Sequence, residues 1–208
     1  MPVDLQAAPE AAMSLGRALQ NAALLSSPAA VYAVAVRLRA GLPAVEIASR
    51  LGFGRGDRRT YAYALAAAVP AGLLSIAASS WTAGFKGSMI GPYVGASPTA
   101  GLIAGVFFYG FLATGFPEEL LFRGLVAGAL FRRVSFWKAN FLQAFIFMLP
   151  HLLILLIAPR LWPLVVCVPF GLALVQGWLR ETSGSIWPGV IVHAVSNTAG
   201  ALAVMRWR

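Results

Sequence analysis

Long apolar runs with almost no ionisable residue inside them decide what this chain can become. A helix needs roughly 20 mostly apolar residues to cross a bilayer. The chain offers about six such runs, at 18–36, 61–85, 99–131, 136–157, 161–179 and 186–205. None alternates between apolar and polar residues, and an open sheet would leave edge backbone groups unsatisfied in lipid, whereas a helix satisfies its own. The sequence therefore predicts an all-α polytopic membrane helix bundle with about six transmembrane spans. Composition agrees: 59% of residues are hydrophobic and 11% charged, where a soluble domain has roughly 45–50% and 25%. Too little charge is available to coat a soluble globule, and too much apolar surface for a disordered chain.

The first run is the weakest, broken by Asn21, Ser26, Ser27 and Pro28. Residues 1–60 read as an N-terminal region holding that span and a basic surface segment, 37–60. The apolar residues of this segment predict a short surface helix, and its GFGRGD reads as a turn. Residues 61–208 read as the membrane-embedded bundle, with no internal repeat and no second domain. The opening stretch carries Asp4 and Glu10 and no basic cluster, so it does not read as a secretory signal. Residues 1–20 are expected at the interface. The single cysteine, Cys167, lies in an apolar run and is expected in the core.

The net charge of +9 comes from 16 basic and 7 acidic residues. In a soluble protein this balance would point to nucleic acid. Here the basic residues sit in short stretches between apolar runs, which is the pattern of positive-inside loops. No nucleic-acid partner is expected. Six arginines fall in 37–60, Arg132, Arg133 and Lys138 in the next link on the same side, and Arg180 between the last two spans. That face is expected to be cytoplasmic. Abundant Arg and Ala suggest a bacterial source, hence a bacterial cytoplasmic membrane.

Ionisable groups inside a membrane are costly, so each is a functional candidate. Only Glu118, Glu119, Arg123, His151 and His193 qualify, joined by the neutral Asn197. On a helix Glu119 and Arg123 are i,i+4 and pair. Glu118 points about 100° away and is the freer carboxylate, the better candidate base. A structural ion pair with a spare glutamate explains the same residues. Phe147 and His151 share a helical face, as do His193 and Asn197. The latter two can hold donors toward one developing oxyanion or serve as helix–helix glue. At about 1.5 Å per residue, Glu118, His151, His193 and Asn197 fall about 18–24 Å from the expected cytoplasmic ends of their helices. Shared depth favours one site over separate accidents. Pro117 and Pro150 directly precede two of these residues and open the preceding turn, which suits a water-filled cavity. Gly124 and Gly128 suit close helix packing.

The motifs Glu118-Glu119-Leu120-Leu121-Phe122-Arg123-Gly124, Phe147-Met148-Leu149-Pro150-His151 and His193-Ala194-Val195-Ser196-Asn197 stand in that order on successive helices. Together they resemble the CPBP family of CAAX proteases and bacteriocin-processing proteins, also called Abi, which includes the type II CAAX prenyl endopeptidases. The resemblance spans about residues 99–205. It implies a glutamate-dependent intramembrane endopeptidase in which Glu118 and His151 activate water. His193 and Asn197 would then form the oxyanion hole, with Glu119, Arg123 and Phe147 in support. The implied partners are the lipid bilayer and a membrane protein or peptide substrate, lipidated or bearing a C-terminal sorting tail. A metal-free route is expected, so no cofactor. The competing mechanism is a zinc metalloprotease, since two His and one Glu are enough ligands for a catalytic zinc. Readings from other classes are a non-catalytic membrane binding or bacteriocin-immunity protein, and a proton-coupled transporter. The last is disfavoured by the lack of repeat symmetry.

Overall fold

A computed structural model describes residues 13–82 and 91–205. Among the described residues seven helices follow one another: α1 (Leu15–Ala40), α2 (Ala44–Arg50), α3 (Arg58–Thr82), α4 (Ala100–Phe131), α5 (Phe136–Leu156), α6 (Trp162–Ser183) and α7 (Trp187–Val204). Local signals set their ends. Ser14 caps α1 by accepting from the Arg17 amide, and Gly41 ends it in the left-handed region. The Asp57 carboxylate accepts from the Thr60 amide at 2.8 Å and opens α3. That bond holds the Asp57 carboxyl below its usual range. Thr99 caps α4, and Gly184 terminates α6 at φ 66°.

Among the described residues five helices are long and apolar enough to cross a membrane: α1, α3, α4, α5 with its last turns, and α6 with the short turn before it. The sixth expected run does form a helix, α7, of 18 residues. His193, Ser196 and Asn197 dilute its apolarity, and it lies against α3, α4 and α6 in the middle of the bundle. Gly72 of α3 meets Val195 and Ala199, and Gly200 of α7 meets Ser75, so these two helices approach closely along their length. The all-α expectation holds, with a single isolated bridge between Phe53 and Ser185 as the only pairing of extended backbone among the described residues.

The predicted surface helix in 37–60 is α2, and the GFGRGD turn follows it. Gly52 has φ 80°, and a Cβ there would lie 2.6 Å from Arg180 Nε. Only glycine meets both demands. Arg180 Nη2 donates to the carbonyls of Ser49 and Arg50 at 3.4 and 3.2 Å. A cation thus sits at the negative end of α2, where the unsatisfied carbonyls favour it. Beneath, a Cβ on Gly124 or Gly128 would lie 2.7 Å from Leu51 O or Arg50 O. The close packing expected of these two glycines is real, and its partner is the end of α2. Arg132 also reaches Tyr32 of α1. The three Arg-rich connections therefore gather at one end of the bundle.

Leucine and valine side chains on the outer faces, such as Leu24, Val31, Leu38 and Leu73, are exposed, as lipid-facing residues are. Cys167 corrects an expectation: it is exposed on α6, because apolarity alone does not separate a lipid-facing position from a core one. The interfacial reading of residues 1–20 falls in part on 1–12, outside the described residues. The start of the 86–98 loop, with Lys86, and Arg206 and Arg208 also lie outside them.

Candidate active site

The sequence predicts one long or bent helix at 99–131. α4 is that helix, but it is π-helical over Phe108–Gly115 and again over Leu120–Ala127, with α-helical Phe116–Glu119 between. π-helical turns bond i to i−5 and recur at functional sites; the Phe116 amide reaches Phe111 O. The glutamate pair stands on the short α-helical stretch, so its two side chains diverge as expected. Glu119 is fully buried, while Glu118 keeps about 20% of its side chain exposed, toward a cavity.

Glu119 Oε1 forms an ion pair with Arg123 Nη1 at 2.9 Å and meets His193 Nδ1 at 3.1 Å. Arg123, equally buried, donates through Nη2 to Gln176 Oε1 on α6. Its guanidinium carbon lies 4.2 Å from the centre of the Phe147 ring, within cation–π range. Gln176 Nε2 in turn donates to Gly189 O. Glu119 Oε2 has no hydrogen-bond partner among the described residues. It faces Gly189, where a Cβ would lie 2.5 Å away. The expected ion pair is therefore present, and it does more than hold α4: it ties α4 to α6 and α7.

Because Glu119 is paired with Arg123 it is ionised, and only an N–H can face it at hydrogen-bond distance. His193 thus carries a proton on Nδ1 and turns Nε2 toward Glu118 Oε2, 3.7 Å away. His151 is arranged the same way by a different device. α5 is α-helical through Met148 and tightens to a 3-10 helix over Leu149–Leu156. 3-10 bonding sends amides to i−3, and the Phe147 carbonyl meets His151 Nδ1 at 3.0 Å. A carbonyl only accepts, so this nitrogen also carries the proton, and Nε2 is the free one. The Phe147 ring lies between the two imidazoles, with centroids 5.0 Å from His151 and 6.0 Å from His193. It meets Phe122 edge-on at 4.9 Å.

Asn197, one turn beyond His193, donates through Nδ2 to Thr114 Oγ1 at 2.8 Å. Glu118, Phe147, His151, His193 and Asn197 all line one cavity of about 530 Å³. Its other wall is apolar, built by Leu153, Ile154 and Ile157 of the α5 end and by Leu164, Val168 and Leu172 of α6. The four polar groups read from the sequence as one site are brought together, and Glu119 and Arg123 stand directly behind them. Sequence reasoning passed over Thr114, Gln176 and Gly189. The first two were visible as uncharged polar residues inside apolar runs; nothing in the sequence distinguished the glycine. Among the described residues no three His, Cys, Asp or Glu are grouped to hold a metal ion.

Residues 100–199 match the family model described as Rce1-like, type II CAAX prenyl endopeptidase. This stretch holds every residue of the site just described. Neither curated proteins nor solved structures give a match to the chain.

Proposed function

On the match of residues 100–199 to the Rce1-like, type II CAAX prenyl endopeptidase model, we propose a residue-level mechanism for peptide-bond hydrolysis in the cavity of this chain. The observation that supports it is the convergence of Glu118, His151, His193 and Asn197 on one cavity, with Glu118 and His193 only 3.7 Å apart. Water sits between Glu118 and the free Nε2 of His151. As its oxygen attacks the scissile carbonyl, its proton passes to Glu118. The oxyanion accepts from Asn197 Nδ2–H and His193 Nε2–H. Collapse of the tetrahedral intermediate breaks the C–N bond, and the proton on Glu118 moves to the leaving amine. A base at hydrogen-bond reach of water followed by donation to the leaving group is ordinary general acid–base chemistry.

The hydrogen bonds add a constraint on His193. With Nδ1–H committed to Glu119, His193 donates from Nε2 only as imidazolium. Two carboxylates against the single Arg123 would leave one negative charge uncompensated in a cavity walled largely by apolar side chains, which is costly. An imidazolium at His193 balances the group. Water activation in this reading uses no metal, because Glu118 is kept as the base and His193 Nε2 carries the proton offered to the oxyanion. Activity that survives a chelator is expected; loss to a chelator and recovery with zinc would promote the metalloprotease alternative.

The apolar wall supports a membrane-associated or lipidated substrate segment lying beside the polar wall. The Arg-rich end of the bundle is assigned to the cytoplasmic side of a bacterial membrane. The test is comparative terminal proteomics of membranes from cells with wild type or Glu118→Gln, alongside cleavage of an internally quenched farnesylated CAAX peptide by purified protein. Glu118→Gln should leave the amount of folded protein unchanged, abolish peptide cleavage and cause one or a few uncleaved precursors to accumulate. Identical termini and intact peptide with both proteins would favour the non-catalytic binding reading.

A further inference from the structure

Thr114 lies outside every motif read from the sequence, yet it touches the site. It is buried in the first π-helical stretch of α4 and accepts from Asn197 Nδ2 at 2.8 Å. Its own proton goes to Tyr109 O at 2.9 Å, five residues back. A hydroxyl has one proton to give. With that proton spent on a backbone carbonyl, the Thr114 oxygen is left facing Asn197 as an acceptor. It can therefore hold only the NH2 end of the Asn197 amide, and the amide has one N–H left for the cavity.

The local helix geometry serves this contact. Gly110 and Gly115 both abut α7: a Cβ on Gly110 would collide with Thr198, and one on Gly115 would lie 3.3 Å from the Ala194 side chain. In an α-helix residues five apart diverge by about 140°. In a π-helical turn they stack, so both glycines face α7 and α4 closes onto Ala194–Thr198. Thr114 and Asn197 meet at this closest approach.

We propose that Thr114 is a positioning residue that fixes the amide orientation of Asn197, so that an N–H rather than the carbonyl oxygen points at the developing oxyanion. The proposal rests on the oxyanion role given to Asn197 above. Thr114→Val keeps the shape and removes the acceptor; Thr114→Ser keeps the acceptor. Asn197→Ala and the double variant Thr114→Val/Asn197→Ala complete a cycle.

The assay is initial-rate cleavage, per folded protein eluting as a single species in detergent, of the farnesylated CAAX peptide and of any precursor that accumulates with Glu118→Gln. Asn197→Ala should lower kcat by about 10²–10³. Thr114→Val should lower kcat on the order of 10- to 100-fold with KM nearly unchanged, as a misplaced catalytic group does. Thr114→Ser should restore it to within about threefold, and Thr114→Val should cost nothing further in the Asn197→Ala background, since coupled residues are not additive. Full kcat in Thr114→Val beside an impaired Asn197→Ala overturns the role of Thr114 alone. So does the same loss with and without Asn197, or a loss that serine does not restore. Where Thr114→Val yields no folded protein, the serine variant decides in its place: loss of kcat at full folding overturns the role, and full kcat supports it. An Asn197→Ala enzyme as fast as wild type, or a wild type that cleaves neither substrate, overturns the function proposed above instead.

Discussion

α1 and α7 are opposites. α1 is 26 residues long and apolar enough to span a membrane, yet only Ala18 and Ala29 of it are buried. α7 is shorter and carries no Asp, Glu, Lys or Arg, and nine of its residues are buried, His193 and Ser196 among them. In water a helix with an apolar stretch as long as that of α1 would bury a face of it against protein. In a bilayer lipid tails are as apolar as leucine, so burial against protein is not driven by hydrophobicity. The helix that goes inside is the one whose polar groups need partners and whose small residues let neighbours come close. Hydropathy alone does not tell the lipid-facing α1 from the buried α7.

The contrast breaks most sharply at Glu119. Glu119→Ala should strand Arg123 as a buried, unpaired cation and release His193, at a cost of about 3–5 kcal/mol. Thermal unfolding in detergent should show this as a large drop in midpoint or in yield of folded protein, unlike the near-native unfolding expected for Glu118→Gln. Equal behaviour of the two variants would erase the distinction between a structural and a reactive glutamate. Next is Gly189→Ala on α7, where the added methyl would press on the unpartnered Glu119 oxygen. Overpacking of this kind costs about 1–3 kcal/mol, and the same melt reads it. The smallest effect belongs to α1: Leu24→Ala, at a side chain 70% exposed, should move stability by no more than about 0.5 kcal/mol. A large loss there would mean that α1 is held by contacts the fold does not display.

The legible parts of the molecule were those governed by local spacing. Glu119 and Arg123 pair because they are i,i+4, and the shared depth of Glu118, His151, His193 and Asn197 anticipated one cavity. Gly124 and Gly128 were expected in close packing, although their partner, the end of α2, could not be named. What stayed hidden depends on hydrogen-bond register or on distance along the chain. Apolarity does not tell a π-helical turn from an α-helical one, so the stacking of Gly110 on Gly115 and the place of Thr114 were invisible. The bond from His193 to Glu119 joins residues 74 apart, and with it came the assignment of the Nδ1 proton. Cys167 was misjudged because a membrane protein has two apolar environments and one alphabet for both.

The π-helical turns of α4 bear on which changes in length this chain tolerates. Such a turn holds one residue more than the α-helical turn it replaces. Removing a single residue between Gly110 and Gly115 would let the segment relax to α-helix with its flanks still nearly in phase, because the two glycines would then be four apart, about 40° around the axis. A one-residue deletion in the α-helical turns Ala100–Phe107 has no surplus residue to absorb it and would rotate everything before it by about 100° relative to Glu118. Variation in length should therefore be tolerated in the connections between helices and in the π-helical turns of α4, and not in its α-helical turns.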